Sequence, residues 1–173
     1  VRRPAKLLPP QSTLRMANMT DTVETRLAAA GLVLPALVAP RGNFQPCTLA
    51  GDLLYLSGKG LPLRDAGTVP VPKVGGQVSV AQARAHAHDI ALYQLAVVKQ
   101  ALGDLERIVQ VVKVFGMVNA VPDFTEHTEV VNGFSDLWVQ LLGERGRHAR
   151  SAIGVGSLPM GFAVEIEAVV RFR

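Results

Sequence analysis

Between Val80 and Leu102 the apolar residues recur at steps of three and four: Val80, Ala83 or Arg84, Ala87, Ala91, Leu95, Val98 and Leu102. That spacing gives one apolar face on a helix. Ser79 is its predicted cap and Gly103-Asp104 its predicted stop. Thr125 to Gly143 repeats the pattern with Val130, Phe134, Leu137, Trp138 and Leu141, predicting a second long helix. A short helix is expected from Thr20 to Gly31, capped by Thr20 or Asp21. Elsewhere the pattern shortens. Cys47–Ala50 and Asp52–Ser57 read as strands joined at Ala50-Gly51-Asp52, and Ile108–Asn119 is rich in β-branched residues and reads as a third. Pro122-Asp123 breaks it. Leu32–Pro46 and Lys59–Gly76, rich in Pro and Gly, are expected to be loops, with Gly58-Lys59-Gly60 as a strand-end turn.

The chain closes with Arg150–Pro159 and Phe162–Val170, both strand-like, around a turn at Leu158-Pro159-Met160-Gly161. The two strands read as a terminal hairpin. The order strand, strand, helix, strand, helix, strand, strand predicts an α+β fold: a mixed sheet with two long helices packed on one face.

A length of 173 residues fits one domain with a full core, assigned here to residues 21–173. The composition is 49% hydrophobic but only 5% aromatic, so the core is expected to be aliphatic. No apolar run reaches membrane-span length; the longest, Ile108–Val121, is broken by Gln110, Lys113 and Asn119.

The net charge of +4 arises at one end. Arg2, Arg3, Lys6 and Arg15 lie in the first 20 residues, which hold no acid. Removing them from the 18 basic residues leaves 14, against 14 acidic ones. A balanced body argues against a broad phosphate-binding face, so a nucleic-acid partner is not expected. Arg145, Arg147 and Arg150 could still form a local basic patch. Residues 1–20 read as an extension: a tag remnant, an early start site, or an Arg- and Ser-rich targeting segment. Cytoplasmic residence is the expectation, with organellar targeting as the alternative. Cys47 is the only cysteine, which excludes an internal disulfide and two-cysteine metal motifs.

Chemistry concentrates at the end of the chain. A guanidinium can grip a carboxylate through two parallel hydrogen bonds, and Arg150 opens a strand. Glu165 lies inside the next one and could move a proton or hold a water. Alone, this pair reads equally well as a surface salt bridge. Other candidates are weaker. His86 and His88, two apart on a helix, point about 200° apart, cannot grip one ion, and read as solvent-exposed. His148 beside Arg150 reads as structural. Cys47 has no neighbouring histidine in sequence and reads as buried. Asn132 alone reads as a surface residue, and Ser151 has no partner set for a nucleophile.

Several motifs taken together resemble one family. Arg150-Ser151-Ala152-x-x-Val155-x-x-Leu158-Pro159 and Val164-Glu165-Ile166-Glu167-Ala168 resemble the YjgF/RidA family, also called L-PSP endoribonuclease. So do Gly51–Gly58, Ala101–Leu105, Asn119–Phe124 and Val131-Asn132-Gly133, and the likeness spans residues 22–173. Extra residues around Phe44 and at 143–150 look like a longer branch. The resemblance implies a chorismate-mutase-like α+β fold and a homotrimer built on a central barrel, with sites between subunits. It implies hydrolysis of enamines and imines such as 2-aminoacrylate to 2-keto acids and ammonia, with no metal or organic cofactor. Arg150 would hold the substrate carboxylate, Glu165 would position or activate water, and Asn132 would assist. Ser151 and Ala152 would line the ligand. The family's site tyrosine corresponds to Phe44, which keeps a ring and loses a hydroxyl, and a family cysteine corresponds to Ala152. Two other functions stay open: a non-enzymatic trimer that captures small carboxylates, and an L-PSP-type endoribonuclease or translation inhibitor.

Overall fold

The structure, a computed structural model, describes residues 21–40, 42–62 and 72–173. The extension at 1–20, the cap assigned to Thr20 and much of the Lys59–Gly76 loop lie outside the described residues. Helix α1 spans Val23–Ala29 and is capped by Thr22, which exchanges hydrogen bonds with Thr25. Asp21 is instead an ion-pair partner of Arg26 at 2.7 Å. Strands β1 (Cys47–Ala50) and β2 (Leu53–Gly60) form an antiparallel pair. Helix α2 (Val80–Leu102) begins at the Ser79 cap, whose hydroxyl accepts from the Gln82 amide. It stops where Gly103 turns left-handed, at φ 79°, a conformation that glycine adopts without strain. Then come β3 (Ile108–Asn119), α3 (His127–Leu142), β4 (Ala149–Val155) and β5 (Val164–Phe172).

The strand order in the sheet is β1-β2-β5-β3-β4, with β3 and β4 parallel and the other pairs antiparallel. The mixed α+β prediction holds, but the terminal hairpin does not. β3 lies between β4 and β5. A parallel neighbour needs a crossover, which α3 provides between β3 and β4. The end of β3 fills the space where hairpin pairing would otherwise run. Asn119 bonds to this region, its backbone N–H donating to the Ala163 carbonyl (2.9 Å) and its side-chain amide to the Phe162 carbonyl (3.2 Å). The turn residues at Leu158–Gly161 were a true local signal, since Pro159–Gly161 forms one 3-10 turn. They cannot report which strand lies alongside.

Both long helices cover one face. Trp138 and Phe134 of α3 are fully buried with rings 4.7 Å apart, and with the buried Tyr93 of α2 they are the aromatics of a mainly aliphatic core among the described residues. The Trp138 indole donates to the Ala91 carbonyl (3.1 Å), tying α3 to α2. The Gln94 amide reaches from α2 to the Ile166 carbonyl of β5 (2.6 Å). Leu54, Val114, Ile166 and Val170 complete this side from the sheet.

Two local readings need correction. Gly58-Lys59-Gly60 is not a turn but the end of β2, where a bulge between Leu56 and Lys59 resets the pairing with β5. The bulge turns Lys59 toward α2, its ammonium 4.0 Å from the centre of the Tyr93 ring. His86 is buried rather than exposed, because it lies toward the helix-packing side of α2, and burial lowers its pKa.

Candidate functional site

Arg150 is the second residue of β4, paired with Val114 of β3. Val114 pairs on its other side with Ala168 of β5, and both are buried beneath the helices. Arg150 therefore faces the helices. Its Nη1 donates to Oδ1 of Asn132 and to Oγ of Ser135, each at 2.9 Å. Those acceptors stand three residues apart on α3, one turn of a single face. Nη1 carries two protons, and both are used. The edge formed by Nε and Nη2 keeps the geometry for a bidentate carboxylate. No carboxylate among the described residues comes within salt-bridge distance of Arg150. Burial lowers the Arg150 pKa, opposed by the more distant charges of Asp136 and Glu129. A partly desolvated guanidinium without an anionic partner is a standing preference for an anion.

Glu165 is the second residue of β5, paired with Gly60 and with Met117. Met117 is three positions beyond Val114 on β3. Side chains alternate along a strand, so an odd step reverses the face. Glu165 thus lies on the face away from the helices. Burial raises its pKa, and the like charge of Glu167 adds to the shift. Gly58 makes room for it: a Cβ there would sit 2.4 Å from Glu165 Oε1. The Arg150–Glu165 salt bridge, the alternative reading of the bare pair, does not form within one chain, because the sheet separates the two.

The remaining predicted residues divide in the same way. Ala152 pairs with Gly116 and shares the Arg150 face. Ser151 pairs with Phe115 on the opposite face, where its hydroxyl accepts from Lys113 Nζ (2.9 Å). Phe44 lies in the loop before β1 with 52% of its surface exposed, and no ring contact joins it to Arg150 among the described residues. Asn132 is half-buried and bonded to Arg150, not a plain surface residue.

Sequence reasoning overlooked Ser135 and underrated His148. The His148 ring bonds to Ser135 Oγ at 3.0 Å and to the Gly146 carbonyl at 2.6 Å. The step of three from Asn132 to Ser135 was a signal that both could meet one partner. The basic patch is already occupied: Arg145 pairs with Glu106 and Arg147 with Glu144, each at 3.0 Å. Cys47 is partly rather than fully buried, and burial pushes its thiol pKa up, away from nucleophilic use.

A surface cavity of about 810 Å³ lies along the helices, lined by Leu61, Arg84, His86, Asp89, Asp136 and Gln140 among others. None of the predicted site residues lines it. Among the described residues no group of three or more His, Cys, Asp or Glu side chains gathers as a metal site. Among them also, no helix is long and apolar enough to cross a membrane.

Comparisons with known proteins agree with this architecture. The family model described as "YjgF/chorismate_mutase-like, putative endoribonuclease" matches residues 24–165. Protein TCP17 of Trypanosoma cruzi is 42% identical over 152 residues, covering 87% of this chain and 94% of that protein. The crystal structure of Atu1372 from Agrobacterium tumefaciens, a protein of unknown function, is 43% identical with a TM-score of 0.77, covering 92% of this chain and 99% of that one. A putative endoribonuclease from Shewanella oneidensis MR-1 is 31% identical with a TM-score of 0.80, covering 87% and 99%. The fold, the motifs around Arg150 and Glu165, and these matches place the chain in the YjgF/chorismate-mutase-like family.

Proposed function

We propose that the protein hydrolyses small 2-imino acids of the 2-aminoacrylate type to 2-keto acids and ammonia. The observation that carries this reading is Arg150: a half-buried guanidinium held by two neutral oxygens, with no carboxylate beside it and its bidentate edge uncommitted among the described residues. A substrate carboxylate supplies the missing charge. Glu165, with its raised pKa, is a stronger base than an ordinary carboxylate. It takes one proton from water as the oxygen attacks the imine carbon and passes it to the imine nitrogen; it then carries the proton of the new hydroxyl to that nitrogen as the keto group forms. The C–O bond forms, the C–N bond breaks, and ammonia leaves. An imine is already electrophilic, so orientation and proton transfer are the contributions needed.

Arg150 and Glu165 lie on opposite faces of one sheet. They meet over one substrate only if two chains supply them, which agrees with the homotrimer that the sequence resemblance implies. The face carrying Glu165 also presents Tyr55, Val112 and Ile153, each at least 40% exposed, as apolar surface for a second copy.

The test is ammonia and keto-acid release from 2-aminoacrylate generated in situ. The wild type is expected to accelerate release and Arg150→Ala to lose the acceleration. Absence of acceleration by a folded wild type overturns the activity. Retained binding of 2-oxo acids in that case would leave a carboxylate-capturing protein. Salt-dependent RNA cleavage would instead favour the family's endoribonuclease description.

A further inference from the structure

The hydrogen bonds behind Arg150 have a forced direction. His148 Nδ1 lies 2.6 Å from the Gly146 carbonyl oxygen. A carbonyl has no proton to give, so Nδ1 is the donor. In the neutral ring Nε2 is then a lone pair, 3.0 Å from Ser135 Oγ. The Ser135 hydroxyl must donate to it. This turns a lone pair of the same oxygen toward Arg150 Nη1, which donates at 2.9 Å. The second Nη1 proton goes to Asn132 Oδ1. One chain of bonds therefore runs from the Gly143–Gly146 turn through His148 and α3 to the guanidinium on β4.

The surrounding charges preserve the neutral ring. Burial lowers the His148 pKa and the charge of Arg150 acts the same way, while the Gly146 bond opposes them. On α3, Asp136 and Glu129 are engaged by Arg84, at 2.6 and 3.6 Å. Arg145 is held by Glu106, and Arg147 by Glu144. On β3, Lys113 is bonded to Ser151. No carboxylate among the described residues pairs with the imidazole of His148, so the Gly146 bond alone favours its protonation, against burial and the charge of Arg150.

We infer that Ser135 and His148 are positioning residues for Arg150: His148 orients the Ser135 hydroxyl, and Ser135 with Asn132 fixes Nη1 so that the Nε and Nη2 edge is pre-set for a ligand carboxylate. This rests on the reading of Arg150 as the carboxylate anchor and extends it to the groups that hold the anchor still.

The links act in series, which makes the inference testable by a double-mutant cycle. The probe is 2-oxobutyrate, with its Kd measured by calorimetry. Ser135→Ala and His148→Leu are each expected to weaken binding about tenfold, and the double variant no more than the worse single one. Ser135→Thr, which keeps the hydroxyl, is expected to stay within about threefold of wild type. His148→Phe, which also lacks an acceptor, replaces His148→Leu should that variant fail to fold. Penalties that multiply in the double variant overturn the inference.

A second measurement needs no ligand. NMR of the His148 ring is expected to show the Nδ1–H tautomer and a titration below the ordinary value of 6.5. That titration should move up in Ser135→Ala, because the neutral ring loses its donor. An Nε2–H tautomer, or an unmoved titration in Ser135→Ala, also overturns the inference. Should wild type bind no 2-oxobutyrate and release no ammonia, the anchor reading fails. The NMR result then decides separately whether the bonded chain exists.

Discussion

The two faces of the sheet do opposite work. On the helix face Leu54, Val114, Ile166 and Val170 are fully buried and belong to the same core as Trp138 and Phe134. On the other face the alternate residues Tyr55, Lys113, Glu165 and Glu167 remain at least partly open. The difference comes from strand alternation, since neighbours such as Leu54 and Tyr55 point to opposite sides. It also divides the proposed chemistry. Arg150 extends among helix side chains that immobilise it, while Glu165 lies on a face that one chain leaves uncovered. Stability is concentrated on one side, and half of the proposed site is presented on the other.

The largest expected effect that sharpens this contrast is on catalysis. Glu165→Gln should lower kcat by about 10²–10⁴, the usual range for a general acid–base group. Binding of 2-oxo acids should persist, since Arg150 lies on the other face. In wild type kcat/KM should rise with pH through a group above the usual carboxylate value of 4.5, because the base acts ionised and its pKa is raised. That limb should vanish in the variant. Equal loss of binding would mean that the two faces are not separate in function.

Next comes stability. Leu54→Ala should cost about 2–5 kcal/mol in denaturant unfolding, the range for a buried leucine. Tyr55→Ala, one residue along and 47% exposed, should spare the fold of the chain and reduce oligomer mass in sedimentation. If Tyr55→Ala unfolded the chain as severely as Leu54→Ala, the open face would be part of the core.

A smaller effect is expected at Gly58. The added methyl of Gly58→Ala meets Glu165 Oε1, and the carboxylate must move. A loss of about tenfold in kcat with unchanged 2-oxo acid affinity is expected, as for a displaced catalytic group. An unchanged kcat would show that the position of Glu165 does not matter to the reaction.

Much of this fold was legible in the sequence because its signals are local. Ser79 and Gly103 bound α2, and the β-branched run gives β3 to the residue. The terminal hairpin was misjudged because strand order is set by distant partners: β5 is bonded on both sides, to β2 and β3, and nothing in the turn encodes that. The bulge in β2 and the burial of His86 depend on packing for the same reason. At the site, Arg150 and Glu165 stood out by residue type and by the resemblance. Their separation across the sheet did not, since it follows from the register of β3 against two neighbours. Ser135 was missed because its meaning depends on His148 and Arg150 arriving from another element.

The central claim is that Arg150 of one copy and Glu165 of another act on one substrate. It is tested most directly by mixing two inactive variants, Arg150→Ala and Glu165→Gln, through co-refolding or co-expression, and measuring ammonia release from 2-aminoacrylate. With sites shared between copies, random mixing should restore about a quarter of wild-type activity, since each site draws its two residues from different chains. Activity no higher than the sum of the two variants alone would contradict the account and place both residues in a site formed by one chain.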